Sequence, residues 1–190
     1  MRYLLTGGAA CGKSAYGEQI CVASPLTHSY IATMMPYGEE SLRKIDRHRA
    51  MRSAKGFATI ERYTNLAGVA LPQRGTALLE CLCNLLANEM FDATRSCDDC
   101  ADLEEELPPG FPHNVDARAA KAVLDGVMRL EAQCDILVVI TNDVGGDGGG
   151  YDLMTTCYVD TLGYLNRQLA ARFERVYELV CGIPILLKGE

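Results

Sequence analysis

Short continuous apolar runs alternate along this chain with segments whose apolar residues recur at three- and four-residue steps, a pattern that predicts strands interleaved with helices. Tyr3 to Thr6 is a short apolar strand running straight into glycines, and Lys13 to Val22 follows as a helix. A turn at Ser24-Pro25 leads to a second strand, Ser29 to Thr33. Glu39 to Met51 is rich in helix formers, with acidic side chains in the first turn, where the helix dipole favours them. Phe57 to Arg62 reads as a strand, Thr76 to Glu80 as a buried strand, and Leu82 to Phe91 as a helix. Residues 92–116 break the rhythm: acidic residues, Pro108-Pro109-Gly110 and the pair Cys97/Cys100 predict a surface insertion, partly disordered. Order resumes with a helix over Ala117 to Gln133, the strand Ile136 to Thr141 and a glycine-dense loop, Asn142 to Gly150. In the long helix that follows, Leu162, Leu165, Leu169 and Phe173 form one apolar stripe. Two late strands, Val176 to Cys181 and Ile183 to Lys188, close the chain. Strands alternating with helices imply a mainly parallel sheet covered on both faces.

The 190 residues fit a single α/β domain, and a domain of this size buries roughly 70% of its unfolded surface without staples. Nine cysteines at scattered spacings, an odd number, point to reduced thiols in a cytoplasmic protein. Cys11, Cys21, Cys81, Cys134, Cys157 and Cys181 lie in or beside apolar or glycine-rich stretches, where mostly buried thiols are expected. The strand pattern begins at residue 2, so no leader is expected, and no apolar run approaches the roughly 20 residues of a membrane span. A net charge of −7 argues against non-specific nucleic-acid binding.

Gly7-Gly8-Ala9-Ala10-Cys11-Gly12-Lys13-Ser14 matches G-x-x-x-x-G-K-[ST] between a strand and a helix, the context a phosphate loop requires. There the glycines let backbone N–H groups turn around phosphate oxygens, Lys13 reaches the β- and γ-phosphates, and Ser14 is placed to ligate Mg²⁺. The fold expected is therefore a P-loop NTPase-like three-layer α/β fold. Glu80, ending a buried strand, stands where such folds carry a carboxylate near the metal, although a strand-end glutamate exposed to water reads the same. His48 lies in a basic helical segment, with Lys44 and Arg52 one turn to either side. Their cations attract a triphosphate and hold imidazole neutral, as nucleophilic attack demands. On residue chemistry alone, that segment reads first as a solvated basic face that includes a histidine. Cys97-Asp98-Asp99-Cys100 supplies only half of a tetrahedral zinc site and is read as an exposed thiol pair.

Taken in order, the segments resemble the bifunctional adenosylcobinamide kinase/adenosylcobinamide-phosphate guanylyltransferase family of cobalamin nucleotide-loop assembly. The matching stretches are Thr6-Gly7-Gly8 through Gly12-Lys13-Ser14, Tyr30-Ile31-Ala32-Thr33, Ile45-Asp46-Arg47-His48-Arg49, and Leu78-Leu79-Glu80-Cys81-Leu82 followed by Asn88. Thr141-Asn142-Asp143-Val144-Gly145, Leu165-Asn166-Arg167-Gln168-Leu169-Ala170 and Gly182-Ile183-Pro184 complete them. Together they span nearly the whole chain outside the acidic insertion.

The resemblance implies two steps that use Mg²⁺, with ATP and GTP as substrates. A γ-phosphoryl group first passes to the hydroxyl of the corrinoid's aminopropanol arm. His48 then takes GMP from GTP and passes it to the arm's phosphate, giving adenosylcobinamide-GDP. By the same resemblance, Gly7 to Ser14 grip the triphosphate, Arg49 and Arg52 flank the guanylylated site, and Glu61 and Glu80 lie near the nucleotide. Met35, Pro36 and Tyr37 are expected to touch it, and the protein is expected to be a homotrimer. Asp143 stands where the family usually has glutamate, and Phe57 where tryptophan is common. A simple P-loop small-molecule kinase and a non-catalytic nucleotide-switch module are the competing readings.

Overall fold

The computed structural model of the chain describes residues 1–36, 53–91, 114–144 and 150–190. The helix expected over Glu39 to Met51, residues 92–113 of the acidic insertion with Cys97/Cys100, and Gly145 to Gly149 lie outside these residues. In chain order the elements are β1 (Arg2–Thr6), α1 (Lys13–Val22), β2 (His28–Ala32), β3 (Phe57–Glu61), a one-turn 3₁₀ helix (Leu66–Gly68), β4 (Thr76–Glu80), α2 (Leu82–Phe91), α3 (Ala117–Gln133), β5 (Ile136–Ile140), α4 (Leu153–Arg172), β6 (Arg175–Val180) and β7 (Ile183–Lys188).

The strands form one seven-stranded sheet in the order β3-β2-β4-β5-β1-β6-β7. Every neighbouring pair is parallel except β6 and β7, which form an antiparallel hairpin. Central strands buried on both faces explain their near-continuous apolar runs. Leu4, Ala77, Leu79, Leu137 and Val139 face a core shared with α2, α3 and α4, while Leu5, Leu78, Val138 and Ile140 face one shared with Cys21 of α1. The predicted stripe of α4 is buried as expected, with Phe173 just past the last turn and equally buried. Asp116 and Asp152 cap α3 and α4 by accepting hydrogen bonds from the Ala119 and Thr155 N–H groups at 2.8 and 2.7 Å.

β6 starts and ends one residue earlier than the apolar pattern predicts, because Cys181 adopts a left-handed backbone (φ 51°) in the hairpin turn. That turn also corrects the cysteine expectation: Cys181 is exposed. Cys21, Cys83 and Cys134 are buried, and Cys11, Cys81 and Cys157 are half-buried; all seven described cysteines are free thiols. Among the described residues, no helix is long and apolar enough to cross a membrane.

Candidate active site

The loop after β1 is shaped by its backbone. Gly7 and Gly12 have φ of +134° and +101°, and Ala10 also lies in the left-handed region. At Gly7 a Cβ would stand 2.6 Å from the Leu179 carbonyl of β6, and at Gly12 it would meet Gly182 at 3.1 Å. At Gly7 only hydrogen fits, and at Gly12 the left-handed backbone with so close a neighbour favours glycine. The β6–β7 turn supports the loop from outside, the Gly182 N–H donating to the Cys11 carbonyl at 2.9 Å. α1 begins at Lys13 without a side-chain cap and without an acidic residue in its first turn. Its leading N–H groups and positive dipole end are therefore left for an anion.

Lys13 is buried, with its ammonium folded back onto the loop: Nζ donates to the carbonyls of Gly7 at 2.8 Å and Gly8 at 2.5 Å, with Cys11 Sγ at 3.5 Å. A cation held by the carbonyls of its own loop stands at the centre of the cradle. One turn-start further, the Ser14 hydroxyl donates to Oε1 of Glu80. Gly17 lets α1 pack closely on the sheet here, since a Cβ at that position would stand 3.0–3.3 Å from the side-chain methyls of Leu78, Ile140 and Leu5. Glu80 ends β4, and its second oxygen, Oε2, accepts from the Tyr30 hydroxyl at 2.6 Å. A hydroxyl and one carboxylate beside a phosphate cradle suit Mg²⁺, which keeps most of its waters and takes few protein oxygens. No larger group of His, Cys, Asp or Glu gathers as a metal site among the described residues.

Glu61 ends β3 at the same edge, and Ala32 of β2 pairs with both Glu61 and Glu80. The two carboxylates thus stand two strands apart, roughly 9–10 Å at ordinary strand spacing. Glu61 is exposed and accepts from the Tyr63 hydroxyl at 3.1 Å. Met35 and Pro36 follow β2 at this edge, and Asn88 of α2 ties the neighbouring loops together by donating to the carbonyls of Thr33 (2.8 Å) and Tyr63 (2.9 Å). Just past Glu80, a hydrogen bond from the Cys81 side chain pulls the buried Cys83 thiol down to about 7, with the Asn142 N–H donating to Cys83 Sγ at 3.2 Å.

The structure therefore gathers Gly7, Gly8, Ala9, Ala10, Cys11, Gly12, Lys13, Ser14 and Glu80 at one place, with Met35, Pro36 and Glu61 farther along the same edge. His48, Arg49, Arg52 and Tyr37 lie outside the described residues. Two contributors had no site reading in the sequence. Tyr30 reaches Glu80 only through strand pairing, and the Leu179–Gly182 turn reaches the loop from the far end of the chain.

Comparison with known proteins follows the same lines. The family model described as cobinamide kinase / cobinamide phosphate guanyltransferase matches residues 3–187. The bifunctional adenosylcobalamin biosynthesis protein CobP of Pseudomonas aeruginosa is 33% identical, with 100% of this chain and 99% of the relative covered. Its counterpart CobU of Escherichia coli is 28% identical over 99% of this chain and 100% of the relative. Among solved structures, a prototypical ATPase of the type III secretion system aligns with a TM-score of 0.52 at 12% identity, covering 93% of this chain and 50% of that one, a likeness of fold alone.

Proposed function

The chain belongs to the cobinamide kinase / cobinamide phosphate guanyltransferase family, and from that premise we propose that one phosphate grip serves two successive transfers to a single corrinoid acceptor. The observation that carries this reading is the convergence of Lys13, Ser14 and Glu80 on the loop Gly7 to Ser14. In the kinase step, a corrinoid hydroxyl attacks the γ-phosphorus of ATP or GTP, the bond to the β-phosphate oxygen breaks, and a nucleoside diphosphate leaves. Lys13 exchanges the Gly7 and Gly8 carbonyls for β- and γ-phosphate oxygens, and the loop's N–H groups take the remaining charge. Ser14 and Glu80 would hold Mg²⁺, which when bound neutralises charge on the phosphoryl oxygens.

In the second step, a neutral His48 nitrogen attacks the α-phosphorus of GTP, pyrophosphate leaves, and a phosphoramidate remains. An oxygen of the acceptor's phosphate then attacks the same phosphorus, the P–N bond breaks, and the imidazole is restored as adenosylcobinamide-GDP forms. Arg49 and Arg52 flank that centre, and Glu61, Met35, Pro36 and Tyr37 contact the nucleotide. The protein works in the cytoplasm as a homotrimer. Self-association is supported by β7, where Ile183 and Leu187 are 65% and 57% exposed, and a light-scattering mass three times that of the chain is expected.

The test is incubation with GTP labelled at the α-phosphate. Label that survives denaturation, resists alkali and is lost in acid is expected in the wild type and absent in His48→Ala, with adenosylcobinamide-GDP formed on addition of adenosylcobinamide and ATP. Phosphorylated corrinoid without any protein-bound label would reduce the function to that of a simple kinase.

A further inference from the structure

A second concavity opens beside the phosphate loop, a cleft of about 540 Å³ lined by Asn114, Val115, Val144, Val159, Asp160 and Arg167. Its volume lies in the ordinary range for small-molecule sites, roughly 300–1,000 Å³. The cleft adjoins the loop through its own wall: the Asp143 N–H donates to the Gly7 carbonyl at 3.4 Å, and Val144 is the next residue. The other walls are tied down. Asn166 of α4 donates to the Asn142 carbonyl at 3.2 Å and accepts from the Thr141 hydroxyl at 2.7 Å, fixing the helix turn that carries Arg167 against the end of β5. The Asp116 N–H donates to Thr161 Oγ1 at 2.9 Å, which holds Asn114 and Val115 against the turn carrying Val159 and Asp160.

We propose that this cleft takes an edge of the corrinoid acceptor, an inference that rests on the functional reading above and adds the place where the acceptor docks. Three valines give an apolar floor. Around it stand a guanidinium (Arg167), a carboxylate (Asp160) and an amide (Asn114), none of which makes a hydrogen bond or ion pair among the described residues. One cation and one anion do not make a polyphosphate site, because Asp160 repels the charge that Arg167 attracts. They match an uncharged ligand that offers carbonyl oxygens to Arg167 and N–H groups to Asp160. A corrin periphery has that chemistry, with methyl groups to lie on the valines and primary amides to meet the polar rim. The cleft is too small for the whole macrocycle, so the ring overhangs it, with the aminopropanol arm directed past Val144 to the phosphate loop.

Gly163 of α4 also lines the cleft, and a Cβ there would meet only the Arg167 guanidinium, at 3.5 Å. Gly163→Leu therefore fills the space without disturbing the helix or removing a charge, and Arg167→Ala removes the donor. Both variants and the wild type are titrated with adenosylcobinamide in dim light and, separately, with GTP. Incorporation of label from α-labelled GTP is measured with no corrinoid present. The expected result is a corrinoid Kd raised about tenfold or more by Gly163→Leu and about three- to tenfold by Arg167→Ala, with GTP affinity and label incorporation within about twofold of the wild type. Unchanged corrinoid affinity in both variants overturns the inference, as does a parallel loss of GTP affinity, which would make the cleft a nucleotide subsite. A wild type that neither takes label nor phosphorylates cobinamide fails on the functional reading, and the docking site falls with it.

Discussion

The Tyr30 hydroxyl donates to Oε2 of Glu80 at 2.6 Å while Ser14 donates to Oε1, so both carboxylate oxygens are held before any ligand arrives. Tyr30 is itself fixed, buried in β2 with its ring edge-on to Phe57 at 6.1 Å. It is a positioning residue that aims Glu80 at the loop. Tyr30→Phe keeps the ring and frees one carboxylate oxygen to turn away. The Mg²⁺ concentration giving half-maximal kinase rate is expected to rise about five- to tenfold, the equivalent of one hydrogen bond of about 1–1.5 kcal/mol. An Mg²⁺ titration at fixed ATP measures it, and an unchanged midpoint would show that Glu80 needs no such partner.

Gly7 and Gly8 adjoin in sequence and differ in what surrounds them. An alanine at Gly7 would need φ near +134° and would drive its Cβ to 2.6 Å from the Leu179 carbonyl. At Gly8 nothing lies within 4 Å of the added atom. Gly7→Ala is expected to lower unfolding free energy by about 2–3 kcal/mol, and Gly8→Ala to stay within about 0.5 kcal/mol of the wild type. Urea unfolding of the two variants compares them directly.

Lys13→Ala removes the buried ammonium that the Gly7 and Gly8 carbonyls hold. The triphosphate then loses its only loop cation, and kcat for both transfers is expected to fall by roughly two to three orders of magnitude. Binding linkage supplies an independent readout. GTP at about a hundred times its Kd stabilises the wild type by about 2.7 kcal/mol, and the matching rise in Tm should shrink sharply in the variant at the same GTP concentration.

Legibility in the sequence followed the range of the interactions. Thr76–Glu80, Lys13–Val22 and Leu82–Phe91 match their predicted bounds because periodicity and local breakers define them. β2 is shifted one residue from its apolar run: Thr33 leaves the strand to bond Cys81, its Oγ1 accepting from the Cys81 N–H at 2.7 Å. The phosphate loop was readable because its geometry is encoded in eight consecutive residues. Glu80 was readable only as a strand end near the ligand edge. The partners that orient it, Ser14 and Tyr30, lie 66 and 50 residues away and meet it through packing and strand pairing. The two strands of the chain's last hairpin were legible, but the backing of the loop by Gly182, whose N–H donates to the Cys11 carbonyl, is a contact across 171 residues that no local pattern announces.

Glu131, near the end of α3, joins the start of β1 to the end of α4: Oε1 lies 3.1 Å from Arg2 Nε, and Oε2 accepts from Arg172 Nε at 2.9 Å. Burial pushes its pKa upward, but Arg172 and Arg2 outweigh that and hold it below the ordinary carboxylate value. A carboxyl depressed in the folded state contributes stability that is fully present above its unfolded pKa, about 4.3. The contribution is lost as pH falls through the lower folded value. Glu131→Gln keeps the shape and removes the charge, and at pH 7 it is expected to cost about 1 kcal/mol, modest because Arg172 is half exposed. The difference between wild type and variant should persist down to about pH 5 and vanish in stronger acid. Denaturant unfolding at a series of pH values reads this directly, and a gap that stayed constant into strong acid would assign the effect to packing instead of charge.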